Sequence, residues 1–185
     1  MKKYVILSLL FLTMIIPGFS QEGKLTISIG DVKLTKLNSG DKVIVPVTLN
    51  NESGIKIVGM QLFVGFDHNI LSWDGTMSNP SPGVRNFNEK CPYSSTEWMF
   101  NDNGSQMGAL WNEASITAIE FDGTHVLFEY VFTYKGGLAK GATSPLSWGA
   151  AYKDVEGRLV LGKTEVYDGD LKTIDLNLVD GKLIN

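Results

Sequence analysis

Residues 126–134 read Val126-Leu127-Phe128-Glu129-Tyr130-Val131-Phe132-Thr133-Tyr134. The alternate positions Val126, Phe128, Tyr130, Phe132 and Tyr134 make a β-branched and aromatic row of period two, which turns one face of a pleated strand toward an apolar interior. A helix would scatter the same side chains around its circumference. The spacing therefore predicts a strand, and its aromatic content predicts the central one. Working outward, Asp41 to Asn50 places Val43, Val45, Val47 and Leu49 on alternate positions. Pro46 interrupts this run; because proline cannot donate to a ladder, it predicts a sheet edge or a bulge there. Val58 to Phe66 alternates Val58, Met60, Leu62, Val64 and Phe66 against Gly59, Gln61, Phe63 and Gly65.

Shorter strand candidates are Leu25 to Ile29, Ile70 to Trp73, Glu97 to Phe100, Gln106 to Asn112, Pro145 to Tyr152 and Leu171 to Ile184, the last in one or two pieces. Turn residues separate them: Asn38-Ser39-Gly40, Asn101 to Gly104, Asp122-Gly123, Lys135-Gly136-Gly137, Asp168-Gly169 and Asp180-Gly181. Only Asn112 to Ile119 offers a helical pattern, and a weak one. Gly75 to Ser95, with Pro80, Pro82 and Pro92, is the longest stretch without pattern and reads as an ordered surface loop or flap. Short strands at this spacing, without a 3.6-residue period, give an all-β class: an antiparallel β-sandwich with Greek-key or jelly-roll connections, immunoglobulin-like in outline.

The 185 residues suit one domain plus a targeting segment. Lys2-Lys3, the apolar run Tyr4 to Ile16 and the small residues Gly18 and Ser20 read as a secretory signal peptide over residues 1–20, leaving 21–185 as a single exported domain. No later apolar run reaches the roughly 20 residues of a spanning helix, so no transmembrane segment is expected in the mature chain. The expected location is extracellular or at the cell surface. A formal net charge of −4 argues against nucleic acid as a partner, because a phosphate backbone calls for a basic excess.

The residues of bond-making chemistry are sparse. One cysteine, Cys91, and two histidines, His68 and His125, leave little for imidazole, thiol or zinc chemistry. The chain has no phosphate-binding glycine loop, no GxSxG elbow and no HExxH. Asn101-Asp102-Asn103-Gly104 lacks the further ligands of a calcium loop and reads as a turn. Asp67, Asp74, Glu97, Glu113, Glu120 and Asp122 offer carboxylates, but no spacing singles out a pair. No catalytic residue, metal or cofactor is assigned. Cys91 reads as a partly buried small side chain rather than a nucleophile, and the two histidines as structural or solvated. Trp98, Trp111 and Trp148 either fill the space between two sheets or present flat faces to sugar rings.

The order of the pieces resembles a cohesin domain, the receptor module that binds dockerin modules in bacterial multi-enzyme assemblies. The resemblance rests on Ile27-Ser28-Ile29-Gly30, then Gly40-Asp41-Lys42-Val43-Ile44-Val45-Pro46-Val47-Thr48-Leu49, similar to the family's Val-x-Val-Pro-Val strand. It continues through Leu62-Phe63-Val64-Gly65-Phe66-Asp67-His68-Asn69-Ile70-Leu71, where Phe66 replaces the usual Tyr. It then takes in the Asp122-Gly123 turn before the most aromatic strand, Leu146 to Tyr152, and the closing Val179-Asp180-Gly181-Lys182-Leu183-Ile184. It covers nearly all of Lys24 to Ile184. The chain departs from the usual scaffold context in reading as a signal plus one module.

The resemblance implies a jelly-roll sandwich of about nine strands. It also implies a non-catalytic function: capture of a dockerin-like protein on a flat face formed by the third, fifth, sixth and eighth strands, in the assembly of extracellular polysaccharide-degrading complexes. Strand parity then points to Gly59, Gln61 and Phe63 on the third strand, Glu97, Met99, Gln106 and Leu110 on the fifth and sixth, and Ser147, Gly149 and Ala151 on the eighth. Phe63 is the expected apolar anchor. The alternative is a carbohydrate-binding module that holds polysaccharide on exposed Trp98, Trp111 and Trp148.

Overall fold

A computed structural model of the chain describes residues 25–34, 36–73, 75, 82–92, 98–102, 107–112, 117–149, 151–153 and 159–185. The expected signal peptide lies outside the described residues. The strands in chain order are β1 (Leu25–Ile29), β2 (Val32–Lys33), β3 (Lys42–Asn51), β4 (Lys56–Gly65), β5 (Leu71–Trp73), β6 (Val84–Arg85), β7 (Trp98–Asp102) and β8 (Met107–Asn112). They continue as β9 (Ile119–Glu120), β10 (Gly123–Tyr134), β11 (Thr143–Trp148), β12 (Ala151–Lys153), β13 (Leu159–Leu161), β14 (Glu165–Asp168), β15 (Leu176–Val179) and β16 (Gly181–Ile184).

Two sheets face each other across the core. One runs β15-β1-β3-β10-β5, with β6 beside β10; the other runs β2-β16-β11-β4-β8-β7, with β14 and β9 also on β4. The aromatic strand β10 lies inside its sheet, as its composition predicts. Phe128, Tyr130 and Phe132 are fully buried, with Phe128 and Tyr130 edge to face at 4.8 Å. Burying each such ring contributes about 1.5–3 kcal/mol. On β7 Trp98 stacks on Phe100 at 5.4 Å, and across the interlayer space Trp98 meets Phe128 of β10 edge-on at 5.1 Å, so side chains of the two sheets interlock.

Three expectations are corrected by the ladders. Strand β3 is not an edge, since it pairs with both β1 and β10. Pro46 is tolerated because β1 ends opposite Val47, at Ile29, and the Pro46 carbonyl takes its one remaining bond from the Gly30 N–H at 2.9 Å. The bulge lies instead in β10, between Val126 and Phe128. That extra residue buries Leu127 and turns Val126 out to 42% exposure, against the alternation read from the sequence. A second irregularity, where Tyr167 faces Gly59 but Asp168 faces Ile57, makes Val58 the unmatched residue of β4 and brings Ile57 into the core cluster.

The predicted 145–152 strand divides into β11 and β12, and β14 completes what β11 begins. Ser147 and Trp148 pair with Gly65 and Val64, and Glu165, Val166 and Tyr167 pair with Gln61, Met60 and Gly59. Between them, β12 pairs only with β13 among the described residues, as a two-stranded hairpin. The chain leaves the ladder at Gly149, whose φ of 70° suits glycine, and whose N–H donates to the Phe63 carbonyl at 2.9 Å. It returns at Thr164. Of the helical candidate Asn112 to Ile119, residues 113–116 lie outside the described set, and 112 and 119 belong to strands.

The closing turn is tightly built. A Cβ on Gly181 would lie 2.7 Å from the carbonyl oxygens of both Gly30 and Ile29, so only glycine allows β16 this close to the end of β1. Trp148 locks the same corner: its backbone N–H donates to Asp180 Oδ1 at 2.8 Å and its indole N–H to the Val179 carbonyl at 2.9 Å.

Candidate partner-binding face

On β4, Met60, Leu62 and Val64 are fully buried, so the intervening Gln61 and Phe63 point away from the core. Residues directly opposite in an antiparallel pair share a face. Gln61 stands opposite Leu110 on one side and Glu165 on the other, and Leu110 stands opposite Met99. A single row, Met99-Leu110-Gln61-Glu165, thus crosses β7, β8, β4 and β14. With strands about 4.8 Å apart, it runs about 14 Å from an apolar end to an acidic one. Met99 is 52% exposed, the most open of the four; Leu110, Gln61 and Glu165 are half-buried.

The polar end is ordered by hydrogen bonds. Gln61 Nε2 donates to the Lys163 carbonyl at 3.2 Å. Lys163 Nζ lies 2.6 Å from Glu165 Oε1, and the Tyr167 hydroxyl donates to Glu165 Oε2 at 2.8 Å. These donors, Lys163 first, hold the Glu165 carboxyl below its ordinary range, while the same bond to the carboxylate raises the Tyr167 phenol. Beyond Tyr167, the Asp168 carboxylate accepts the N–H groups of Asp170 and Lys172, both at 2.9 Å, and fixes the turn that ends β14.

A second row on this face runs through Gly108 and Phe63. Phe63 is half-buried rather than open. Its N–H donates to Thr164 Oγ1 at 3.0 Å, so its backbone is saturated by the two ends of the hairpin excursion. Gly59 is buried, with Asn112 Oδ1 3.0 Å and the Tyr167 ring 3.8 Å from where a Cβ would stand; it gives the face closeness of backbone and no side chain.

The structure thus brings Gln61, Phe63, Leu110 and Met99 together on one face, with Ser147 opposite Gly65 at its margin. Gly149 is exposed at the start of the excursion, and Ala151 lies in the separate hairpin, off the four-strand face, because the eighth strand breaks there. Glu97 and Gln106 lie outside the described residues. Glu165, Tyr167 and Lys163 were missed by the sequence reading. The signal for them was the β-branched pair Thr164 and Val166, alternating with Glu165 and Tyr167 ahead of the Asp168-Gly169 turn.

The sugar platform is a different outcome. Trp98 and Trp111 are each 1% exposed, directly opposite one another on the inward face. They fill the interlayer space and have no face to offer a ring. Trp148 is half-buried and packs against the core, with its indole N–H already bonded. His68 packs against Phe66 with ring centroids 4.0 Å apart, and the His125 ring sits 2.7 Å from the Asp122 carbonyl, on strand β10. Cys91 is buried. No group of three or more His, Cys, Asp or Glu side chains able to hold a metal occurs among the described residues, and no helix there is long and apolar enough to cross a membrane.

Comparison with solved structures decides the architecture. The sixth cohesin of Acetivibrio cellulolyticus scaffoldin B, solved with a Cel5 dockerin, superposes with a TM-score of 0.64 at 15% identity, covering 87% of this chain and 98% of that one. The fold is cohesin-like. The OlpA cohesin of Clostridium thermocellum, solved with a dockerin, matches this cohesin-like chain with a TM-score of 0.62 at 22% identity over 87% of it and 98% of the other. A non-cellulosomal cohesin from the archaeon Archaeoglobus fulgidus gives 0.58 at 18%, over 86% and 89%. No protein-family model and no curated sequence matches the chain.

Proposed function

We propose that this chain is an exported, non-catalytic binding module that captures a dockerin-like protein through the outward face of β7, β8, β4 and β14. The observation behind this reading is the Met99-Leu110-Gln61-Glu165 row, an apolar end and a hydrogen-bonding end on a rigid four-strand surface. Such a face suits association by shape, with apolar anchors inside a polar margin, and needs no bond-making group. Support comes from cohesin-like structures solved with dockerins. The domain organisation that goes with it is a signal peptide over 1–20 and one binding domain over 21–185. The role we assign is assembly of extracellular or cell-surface polysaccharide-degrading complexes.

The test is capture from the organism's own culture supernatant by the purified exported chain, with calcium and with chelator. A captured protein carrying duplicated calcium loops, lost in chelator and lost with Gln61→Lys and Phe63→Asp, is the expected result. Capture unaffected by both substitutions would place the site elsewhere.

A further inference from the structure

Glu165 is the one carboxylate in the row that crosses the face, and it is half-buried before any partner arrives. Its side chain keeps 20% of its exposure, while the Lys163 side chain that answers it is 75% exposed. An ion pair of that openness adds little stability, because water competes for both charges and a long flexible side chain must be held still. The Tyr167 hydroxyl, by contrast, comes from a half-buried residue of β14 and stays with Oε2 at 2.8 Å.

A partner settling on the row removes the remaining water from Glu165. A carboxylate stripped of water must be met by a charged donor or the contact is costly. Lys163 reaches Oε1 from the solvent side, where a docked surface would stand. We infer that Lys163 holds the place of a cation that the partner brings, so that the partner presents a lysine or arginine beside aliphatic side chains. This rests on the binding face proposed above. The aliphatic part answers Met99 and Leu110. Leu110 and Glu165 are two strands apart, about 10 Å, which sets the distance between the partner's aliphatic group and its cation.

The inference gives Lys163 and Glu165 opposite signs in one assay. The probe is a panel of purified, calcium-loaded dockerin modules titrated against the full exported chain at low and high salt. Lys163→Ala and Lys163→Gln, which free Oε1 for the incoming cation, are expected to tighten binding about threefold. Glu165→Gln is expected to weaken it at least about tenfold and to flatten its salt dependence. Thermal midpoints of the variants establish that each is folded. No gain in both Lys163 variants, or unchanged affinity in Glu165→Gln, overturns the inference while binding by the unmodified chain leaves the proposed function standing. If the unmodified chain binds no module of the panel, the proposed function falls and this inference with it.

Discussion

The Phe63 amide donates to Thr164 Oγ1 at 3.0 Å, at the point where β4 has lost its neighbouring strand to the hairpin excursion. A side-chain hydroxyl here does the work of a ladder carbonyl, and Thr164 is only 6% exposed. Thr164→Val keeps the shape and removes the acceptor, leaving an amide without a partner in a largely dry site. The expected loss of stability is about 1–3 kcal/mol in denaturant unfolding. Thr164→Ser should recover most of it. Equal stability of all three forms would show that water replaces the hydroxyl.

Glu165 and Tyr167 carry a pH signature. The Glu165 carboxyl is held below its ordinary value of 4.5, chiefly by Lys163. A depressed folded value means that folding favours the ionised form, so its contribution is complete above 4.5 and is lost as pH falls through the lower folded value. Tyr167, raised above 10.0 by its bond to Glu165, behaves in the opposite sense: its contribution is complete below 10.0 and fades as pH rises through the higher folded value. Denaturant midpoints measured across both ranges should show both limbs. Glu165→Gln should abolish the acid limb assigned to this pair, and Tyr167→Phe the alkaline one.

Tyr130 is fully buried and its hydroxyl finds no hydrogen-bond partner among the described residues. Burial pushes the phenol far above its ordinary range, so the group is a neutral, unsatisfied hydroxyl in an aromatic core. Tyr130→Phe keeps the ring against Phe128 and removes the cost. The expected change is a gain of about 1 kcal/mol, read as a higher thermal midpoint. A loss would reveal a partner such as a buried water.

Gly181 tests the closing corner. A Cβ there would lie 2.7 Å from two carbonyl oxygens of backbone, which cannot swing aside as a flexible side chain would. Gly181→Ala should therefore cost about 2 kcal/mol or more, where a merely spacious glycine would cost little. The measurement is the denaturation midpoint of the variant, with an unchanged slope expected if only the corner is strained.

Most of the architecture could be read from side-chain alternation, because a buried face leaves a period of two wherever a strand runs undisturbed. Leu25 to Ile29, the valines of β3, Met60 to Phe66 and Phe128 to Tyr134 all kept that period. Val126 broke it by turning outward, and at Val58, which stays buried, the period slipped so that Ile57 joined the core, for one shared reason. A bulge adds a residue that has no opposite number, and nothing local in Val126-Leu127-Phe128 announces which of the three is the extra one. The face was legible on β4 for the same reason that the core was. Its acidic end was not, since Glu165 comes into line with Gln61 only after the chain has made an excursion from Gly149 and returned at Thr164. Trp98 and Trp111 proved to be filling; Phe100, two positions from Trp98 on its own face, pointed that way, whereas Met107 and Ala109 beside Trp111 left its reading open.

The lock made by Trp148 bears on how such molecules behave at high concentration. Strand β15 closes the rim of its sheet, where bare main-chain groups would invite a strand from another molecule, and it exposes Leu178 and Val179 there. The terminal carbonyl of that strand is occupied by an indole from the opposite layer. The rim is thus partly blunted from within, which favours single, dispersed molecules over stacked fibrils. Trp148→Phe, which keeps the bulk and frees the carbonyl, is the change that should make them stick.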